Sequence, residues 1–402
     1  MTSPTANTSD FDYSLPEERI ALHPLPERTA AKLLVTRGDE IFDQQIKDLP
    51  DWLPQSTAIF VNNTKVVHAR LLFPLGERTI EIFCLGAADG RSIDHVLQHR
   101  GEAEILAMVG GAKRWKQGAL TIDWRVGAET IALSAFKGEA AEGRFKIRLT
   151  WTGSYSLAEV LQEAGHVPLP PYIHREDELE DDERYQTVYA QHQGSVAAPT
   201  AGLHFDEPLL QRLSAKGHVL HPLVLHVGAG TFKPIAGDAA HEHIMHGEEI
   251  VVDLATIRQL AEWHEKVLAI GTTSMRTLES LYWLGVKAHN GDNPTLGLSQ
   301  HDAYQLPQQL SLKASLAALE HFLVQSQLPQ LRCSTHLYIM PGYRFRVVDL
   351  LLTNFHQPKS TLLLLVAAFY GQNWKALYQH ALDSNYRFLS YGDAMLLQRS
   401  MA

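Results

Sequence analysis

The segment Lys266-Val267-Leu268-Ala269-Ile270-Gly271-Thr272-Thr273-Ser274 indicates the fold class, because an apolar strand runs straight into a short polar loop. The residues after it predict a helix over Met275–Leu284. The same order of strand, polar loop and helix recurs after the strand Val347–Leu352. A third strand, Leu220–Val227, leads into Gly228-Ala229-Gly230-Thr231. In open α/β sheets, ligands bind beyond the carboxyl ends of the strands, so the three loops predict one shared crevice.

A different pattern, short strands separated by Gly and Asp turns, occupies the middle of the chain. The clearest strands are Thr79–Phe83, Glu104–Val109, Ala119–Trp124 and Arg144–Leu149. Strands at hairpin spacing predict a small β-barrel or sandwich over residues 68–153. Because neither flank looks complete, we expect a discontinuous α/β domain, residues 1–67 and 154–402, with a small β-barrel domain inserted. Residues 285–332 form a long polar insertion in the α/β part, with one predicted helix, Ala314–Val324.

The composition is that of an ordinary globular protein. The 402 residues are 45% hydrophobic and 20% charged, with a formal net charge of −10. A protein whose whole surface binds nucleic acid is usually basic, so any such contact must be a local patch. Two cysteines without metal or redox spacing, Cys84 and Cys333, suit a reducing cytoplasm. The first ten residues lack the features of a signal peptide, and no apolar run reaches the roughly twenty residues that span a bilayer.

Two glycine-containing segments each place a histidine beside small residues in an apolar frame. They are Ala198-Pro199-Thr200-Ala201-Gly202-Leu203-His204-Phe205 and Leu225-His226-Val227-Gly228-Ala229-Gly230-Thr231-Phe232. Glycine adopts backbone conformations closed to other residues and lets a ligand approach closely. We interpret the two segments as the floor of one small-molecule site.

The start of the helix after Ile270 favours an anion. Hydroxyl side chains of Thr272, Thr273 and Ser274 can cap free N–H groups, and the helix dipole attracts negative charge. Arg276 adds a planar guanidinium group, whose paired N–H donors suit a carboxylate or phosphate. The functional interpretation is an anchor for a substrate carboxylate, and the alternative is a plain capped helix with a surface arginine.

The histidines His241, His243 and His246, followed by Glu248 and Glu249, have superficial metal-ligand spacing. With 21 histidines in the chain, such spacing arises often by chance, and no H-E-x-x-H motif or cysteine ligand supports it. We therefore expect no metal site, and a polar loop in which one or two histidines hydrogen-bond a ligand.

Three other segments have a functional and a structural interpretation each. The acidic run Glu176–Glu183 is typical of solvated surface and would repel nucleic-acid phosphates. The cluster Lys113-Arg114-Trp115-Lys116 could hold phosphates and stack a base, or it could be an exposed hairpin turn. Tyr391-Gly392-Asp393 predicts a carboxylate at the end of a strand, serving either as an acid or base or as an N-cap.

These segments and several others occur, in this order, in one known family. They include Asp10-Phe11, Leu15-Pro16, Pro26-Glu27-Arg28, Val61-Asn62-Asn63-Thr64, Ala69-Arg70-Leu71, Pro168-Leu169-Pro170-Pro171-Tyr172-Ile173, Tyr185-Gln186-Thr187-Val188-Tyr189, His243-Ile244-Met245-His246, Thr353-Asn354-Phe355-His356, Ser360-Thr361-Leu362 and Ser390-Tyr391-Gly392-Asp393-Ala394-Met395. On these motifs the chain resembles the S-adenosylmethionine:tRNA ribosyltransferase-isomerase family of queuosine biosynthesis over nearly its whole length. The resemblance implies an α/β domain with an inserted β-barrel. It also implies transfer of the ribosyl part of S-adenosylmethionine to the preQ1 base at the wobble position of a tRNA. Adenine and methionine leave, and the product is epoxyqueuosine.

That reaction needs a base, an acid and an anchor for the methionine carboxylate. Histidine titrates near the working pH, so His204 and His226 are base and acid candidates in either order. Asp393 would steady the sulfonium or the acceptor amine, Phe232 would stack on adenine, and Lys113-Arg114-Trp115-Lys116 would contact the tRNA. The expected substrate-binding residues are Thr200, Gly202, Gly228, Gly230, Thr231, Phe232, His243, His246, Thr272, Thr273, Ser274, Arg276, Asn354 and His356.

The chain departs from the family pattern in three places. Gly76-Glu77-Arg78-Thr79 lacks a lysine, Gln357 replaces a leucine, and the 285–332 insertion is longer than usual. We expect S-adenosylmethionine as the ribosyl-donating substrate, no other cofactor, a tRNA carrying preQ1 as partner, no membrane, and a cytoplasmic monomer. The alternatives are a paralogue that uses S-adenosylmethionine with another acceptor, a non-catalytic tRNA or S-adenosylmethionine binding module, and a histidine-liganded metal hydrolase.

Overall fold

The structure is a computed structural model that describes residues 5–89, 91, 93–126, 129–141, 143–228, 234–235 and 237–400. The chain divides into two compact units. The larger unit comprises Met1–Asn63, Thr187–Ala190 and Pro199–Ala402, and the smaller comprises Thr64–Gln186 and Gln191–Ala198.

Strands and helices alternate along much of the described chain. The strands are β1 (Lys32–Arg37), β2 (Glu40–Gln45), β3 (Ala58–Asn62), β4 (Thr64–Val66), β5 (Arg70–Leu75), β6 (Arg78–Ala87), β7 (Glu102–Gly110), β8 (Leu120–Val126), β9 (Glu129–Ala141), β10 (Arg144–Trp151), β11 (His192–Ser195), β12 (Val219–Leu225), β13 (Glu248–Asp253), β14 (Val267–Ile270), β15 (Gln330–Thr335), β16 (Leu350–Asn354) and β17 (Ala394–Gln398). The α-helices are α1 (Leu49–Trp52), α2 (Ile93–Leu97), α3 (Leu157–Ala164), α4 (Leu179–Arg184), α5 (Glu207–Ala215), α6 (Leu254–Glu262), α7 (Gly271–His289), α8 (Asp302–Gln305), α9 (Leu312–Gln325), α10 (Thr361–Tyr370) and α11 (Trp374–Asp383). Among the described residues, no helix is both long enough and apolar enough to cross a membrane.

A nine-stranded sheet lies in the larger unit, in the order β15-β13-β12-β3-β14-β16-β17-β1-β2. Its strands β12, β3, β14 and β16 run parallel to one another, whereas β17 runs antiparallel to β16. Every residue of β3, β14 and β16 is buried, as expected for parallel strands covered on both faces. The expected α/β class is therefore confirmed, and four parallel strands end at one edge of this sheet.

The smaller unit contains a six-stranded antiparallel sheet in the order β5-β6-β7-β10-β9-β8. Its outer strands β5 and β8 approach each other, so the sheet is nearly closed and resembles a barrel. The four strands predicted from the sequence correspond to β6, β7, β8 and β10. The sequence did not predict β9, because its four alanines and one glycine have low β propensity.

The 285–332 insertion is more regular than its polar composition predicts. α7 continues to His289, α9 packs against α7, and β15 pairs with β13. Buried Leu316, Leu319 and Leu323 recur at helical spacing on α9. The insertion therefore contains an amphipathic helix whose polar face accounts for the composition.

A buried carboxylate joins α7 to the chain that enters β16. The Glu279 side chain accepts hydrogen bonds from the backbone N–H groups of Arg346, Val347 and Val348 at 2.9–3.2 Å. The Tyr343 hydroxyl donates to the same carboxylate at 2.9 Å. Burial raises the pKa of Glu279, and the backbone donors act in the opposite direction. Glu279 thereby sets where β16 starts relative to α7, and so where the end of β16 lies.

Candidate active site

Polar residues and glycines stand at the ends of the four parallel strands. β3 ends at Asn62 and β16 at Asn354, while His226 follows β12 and Gly271 follows β14. Because the strands are parallel neighbours, these residues lie along one edge of the large sheet. The strand ends that lead into the predicted loops therefore lie at the same edge.

Asn354 connects several of the predicted site residues. The Thr200 hydroxyl donates to Asn354 Oδ1 at 3.0 Å. Asn354 Nδ2 lies 3.2 Å from His204 Nε2 and 3.5 Å from the backbone oxygen of Asp393. An amide N–H₂ only donates, so His204 Nε2 is the acceptor of this bond. Four predicted residues, far apart in the sequence, thus belong to one hydrogen-bonded group.

The His204 imidazole is buried and neutral. It ends the 3₁₀ turn Thr200–His204, and the Arg28 guanidinium donates to the Leu203 carbonyl oxygen at 2.9 Å beside it. Burial, followed by the charges of Arg387 and Arg28, lowers the pKa of His204 to about 3. The expectation that this histidine titrates near the working pH is therefore wrong.

The two glycine segments differ in what their glycines do. A Cβ on Gly202 would overlap the Tyr189 hydroxyl and approach Thr187, so this glycine is needed for packing inside the protein. A Cβ on Gly228 would meet no atom within 4 Å, and this glycine lines a pocket. Internal packing therefore explains Gly202, whereas the space beside Gly228 is open. Gly230, Thr231 and Phe232, the remaining predicted residues of the second segment, lie outside the described residues.

Asp393 is buried with both carboxylate oxygens engaged. Oδ1 accepts from the backbone N–H of Lys32 at 2.9 Å, and Oδ2 accepts from that of Arg387 at 2.7 Å. Burial raises the pKa of Asp393, against the opposing contributions of Arg387 and Lys32. The prediction that Tyr391-Gly392-Asp393 ends a strand is wrong, since these residues precede β17. Asp393 reaches the same edge because β17 runs antiparallel to β16.

Two more predicted histidines are buried at this edge. The backbone N–H of His226 donates to the Glu249 carbonyl oxygen at 3.0 Å, which ties the end of β12 to β13. His356 Nε2 lies 3.0 Å from the Thr353 hydroxyl, and burial lowers the pKa of His356 to about 3. The Tyr378 hydroxyl accepts from the backbone N–H of His356 at 3.2 Å. His356 is thus held by its own loop and by α11.

The α7 helix begins at Gly271 and not at Met275 as predicted, so Thr272, Thr273 and Ser274 lie in its first turn. Its N-cap residue, Ile270, gives no side-chain cap to the first N–H groups. Among the residues that the structure describes, the Thr273 and Ser274 hydroxyls are buried without a hydrogen-bond partner. The same is true of one Arg276 nitrogen, Nη2. This helix start therefore holds several buried polar atoms able to bind an anion.

Arg276 is not the surface arginine of the alternative interpretation. It forms an ion pair with Glu248 in which the two side chains are 8% and 5% exposed. Arg276 Nη1 donates to Glu248 Oε2, and Arg276 Nε donates to the Leu337 carbonyl oxygen at 3.2 Å. Sequence reasoning considered Glu248 only as a metal ligand and missed this pairing. An acidic residue at the start of a buried strand, directly after the histidine motif, was the available signal.

A small pocket with a cavity volume of about 50 Å³ opens at this ion pair. Gly228, His243, His246 and Arg276, all predicted site residues, line it. Its other lining residues are Met245, Gly247, Glu248, Tyr338, Ile339, Thr361, Leu362 and Leu365. Burial and then His246 lower the pKa of His243. The wall thus combines a charged pair with aliphatic side chains. Within the described ranges, there is no group of three or more His, Cys, Asp or Glu side chains that could hold a metal ion.

The predicted basic cluster is only partly available for nucleic acid. Lys113, Arg114 and Lys116 are exposed, but the Trp115 ring is 1% exposed and its Nε1 donates to the Gly118 carbonyl oxygen at 2.9 Å. Base stacking on Trp115 is therefore excluded, because the ring packs inside the smaller unit.

The acidic run lies mostly at the surface, as predicted, with one exception. Asp181 is buried and accepts two hydrogen bonds from the Arg175 guanidinium, at 2.6 and 2.9 Å. This residue therefore stabilises the local fold of α4 instead of contributing to the solvated acidic surface.

Comparisons with known proteins agree with the motifs. The family model described as Queuosine biosynthesis protein matches residues 8–397. The S-adenosylmethionine:tRNA ribosyltransferase-isomerase of Azoarcus sp. (strain BH72) is 38% identical over 401 residues, covering 98% of this chain and 99% of the relative. The enzyme of the same name from Xanthomonas euvesicatoria pv. vesicatoria (strain 85-10) is 39% identical over 396 residues, covering 97% and 96%.

One solved structure, the S-adenosylmethionine tRNA ribosyltransferase of Thermotoga maritima, is 27% identical, with a TM-score of 0.45 over 96% of this chain and 99% of that one. The match of the family model over most of the chain and the two full-length relatives confirm the resemblance inferred from the motifs. The chain belongs to the queuosine biosynthesis protein family.

Proposed function

We propose that this protein is an S-adenosylmethionine:tRNA ribosyltransferase-isomerase. It transfers the ribosyl part of S-adenosylmethionine to preQ1 at the wobble position of a tRNA, isomerises it, and releases adenine and methionine. Family membership and the names of the two full-length relatives support this activity. The observation that carries it within this chain is the edge of the large sheet, where Thr200, His204, Asn354 and Asp393 form one hydrogen-bonded group.

The methionine carboxylate of the donor binds at the start of α7. Thr273, Ser274 and Arg276 support this placement, because each holds a buried polar atom that has no partner among the described residues. A carboxylate there would accept hydrogen bonds from these atoms and would lie in the favourable field of the helix dipole. Held in this way, the donor is oriented for loss of its leaving groups.

The chemistry needs a base for the acidified carbon beside the sulfonium and a donor for the departing adenine. His204 and His226 are the candidates for these two roles, in either order, because both are histidines buried at the edge of the large sheet. Asp393 acts as a positioning residue, since its carboxylate is occupied by two backbone N–H groups.

The remaining parts of the proposal concern architecture and partners. The nearly closed six-stranded sheet is a domain inserted into a discontinuous α/β domain, and its exposed Lys113, Arg114 and Lys116 contact the tRNA. S-adenosylmethionine is a substrate and no further cofactor or metal takes part. The enzyme works as a monomer in the cytoplasm.

The test incubates purified protein with S-adenosylmethionine and preQ1-bearing tRNA and quantifies adenine and methionine by chromatography. We expect equal amounts of both products, only when that tRNA is present, and a loss of release in His204→Ala and His226→Ala variants that remain folded. Release without tRNA, or near-normal turnover of both variants, would contradict the proposal. Binding of S-adenosylmethionine without release would favour a paralogue with another acceptor.

A further inference from the structure

The pocket at Arg276 and Glu248 has one wall without secondary structure. Residues 243–247 form neither helix nor strand, although His243 and Met245 are half-buried. Backbone N–H and C=O groups in such a segment need partners from elsewhere in the protein. The position of this wall therefore depends on which side chains supply those partners.

Gln300, from the 285–332 insertion, supplies two of them. Its Nε2 donates to the His243 carbonyl oxygen at 2.6 Å, and its Oε1 accepts from the Met245 N–H at 2.9 Å. One amide thus bridges two backbone positions across Ile244, and only this orientation of the amide satisfies both bonds. On the other side, His336 Nδ1 donates to the Met245 carbonyl oxygen at 3.1 Å. We call the Gln300 contacts the loop clamp.

The insertion itself is anchored near the clamp. The Leu298 N–H donates to the Ser334 carbonyl oxygen at 3.0 Å, and the His336 N–H donates back to the Leu298 carbonyl oxygen at 3.0 Å. Lys287, on α7, donates to the Gly297 carbonyl oxygen at 2.9 Å. Through these bonds the loop clamp fixes residues 243–247 relative to β15 and α7. Arg276 also lies on α7.

We infer that Gln300 is a positioning residue for the methionine part of the donor. The inference rests on the proposed function. The pocket offers a cation, a carboxylate and aliphatic side chains, which match the carboxylate, the ammonium group and the thioether chain of a sulfur-containing amino acid. The loop clamp holds His243 and Met245 against this pocket, so the 285–332 insertion completes the site for the amino-acid end of the donor.

The experiment compares the wild-type protein with Gln300→Ala and Gln300→Glu, and Gln305→Ala serves as the matched control. Gln305 lies in the same insertion and is exposed. Amide hydrogen exchange of the 243–247 segment reports on the clamp without any ligand. Steady-state kinetics at saturating tRNA report KM for S-adenosylmethionine, kcat, and product inhibition by methionine and by adenine separately.

In Gln300→Ala we expect faster exchange, a KM for S-adenosylmethionine raised about tenfold by the loss of two hydrogen bonds, and kcat within about twofold of wild type. Inhibition by methionine should weaken in parallel, while inhibition by adenine should not change. Gln300→Glu keeps the acceptor for Met245 and loses the donor to His243, so an intermediate effect is expected. Gln305→Ala should behave like wild type.

Faster exchange with unchanged KM and unchanged methionine inhibition would overturn the inference, because Gln300 would then be merely structural. Unchanged exchange in Gln300→Ala would overturn the clamp itself. A wild-type protein that neither binds nor turns over S-adenosylmethionine would overturn the proposed function, and with it the donor role of Gln300. An active wild type with unaffected variants would leave the proposed function standing and reject only the inference.

Discussion

Arg276 and Glu248 form an ion pair that is more than nine-tenths buried in the wall of the pocket at the edge of the large sheet. The pair leaves one guanidinium nitrogen, Nη2, buried without a hydrogen-bond partner among the described residues. A buried pair loses much of its solvation when it forms, so the attraction between its charges and their further hydrogen bonds must offset that cost. The pair is therefore a structural contact that leaves the N–H groups of Arg276 Nη2 without an acceptor among the described residues.

The first prediction concerns the stability that this pair provides. Glu248→Gln should lower the free energy of unfolding by about 3 kcal/mol, because it leaves the buried Arg276 charge without its counter-charge. The matched control is Glu249→Gln at the next position. Glu249 pairs with Arg332 through side chains 24% and 39% exposed, so its loss should cost less than about 1 kcal/mol. Urea unfolding of both variants measures the difference, and equal losses would contradict it.

The second prediction concerns Asn354 and the hydrogen bonds that its side chain forms with Thr200 and His204. Asn354→Ala removes the partner of both Thr200 and His204, and we expect adenine release to fall by roughly tenfold to a hundredfold in a folded protein. Thr200→Val removes only the bond to Asn354 Oδ1 and leaves the His204 contact, so its effect should stay below about tenfold. Initial rates at saturating substrates provide the comparison. A larger loss in Thr200→Val than in Asn354→Ala would show that Asn354 does not act through His204.

The third prediction is a pH dependence of stability that arises from His356. Its pKa falls from 6.5 to about 3 in the folded protein, so between these values the unfolded chain binds a proton that the folded protein does not. With respect to this group, the free energy of unfolding is highest above pH 6.5. It decreases as the pH falls below that value, by about 1.4 kcal/mol per pH unit. In His356→Gln this contribution disappears. When the urea midpoint is plotted against pH from 7 to 5, the wild-type protein should therefore show a steeper decrease than His356→Gln. Parallel curves would contradict the prediction.

The fourth prediction concerns the exposed cations of the smaller unit. Charge reversal of Lys113, Arg114 and Lys116 to Glu should weaken tRNA binding. The slope of the logarithm of the binding constant against the logarithm of the salt concentration should decrease in magnitude by about one for each lost phosphate contact. Affinity for S-adenosylmethionine should not change. Lys313→Glu, at an exposed position on α9, is the control for a change in overall charge. Unchanged tRNA affinity in the triple variant would place the tRNA contact elsewhere.

Local sequence patterns predicted the elements of the fold well. Continuous apolar runs identified β14 and β16, because parallel strands covered on both faces carry no polar alternation. Alternation and turn residues identified four strands of the barrel-like sheet. The start of α7 was misplaced by a few residues, because Gly271-Thr272-Thr273-Ser274 is equally typical of a loop and of a first helical turn.

The sequence by itself determined the α/β class, the barrel-like middle, the strand-end loops and the family. Those properties follow from local periodicity and from motifs that stand contiguously in the chain. Only the tertiary structure decided the partners: Asn354 with His204 across 150 positions, Gln300 with His243 across 57, and Glu248 with Arg276 across 28. Burial lowers the pKa of His204 as well. The physical reason is that sheet order and packing set hydrogen bonds, ion pairs and desolvation, and no local stretch of sequence contains them.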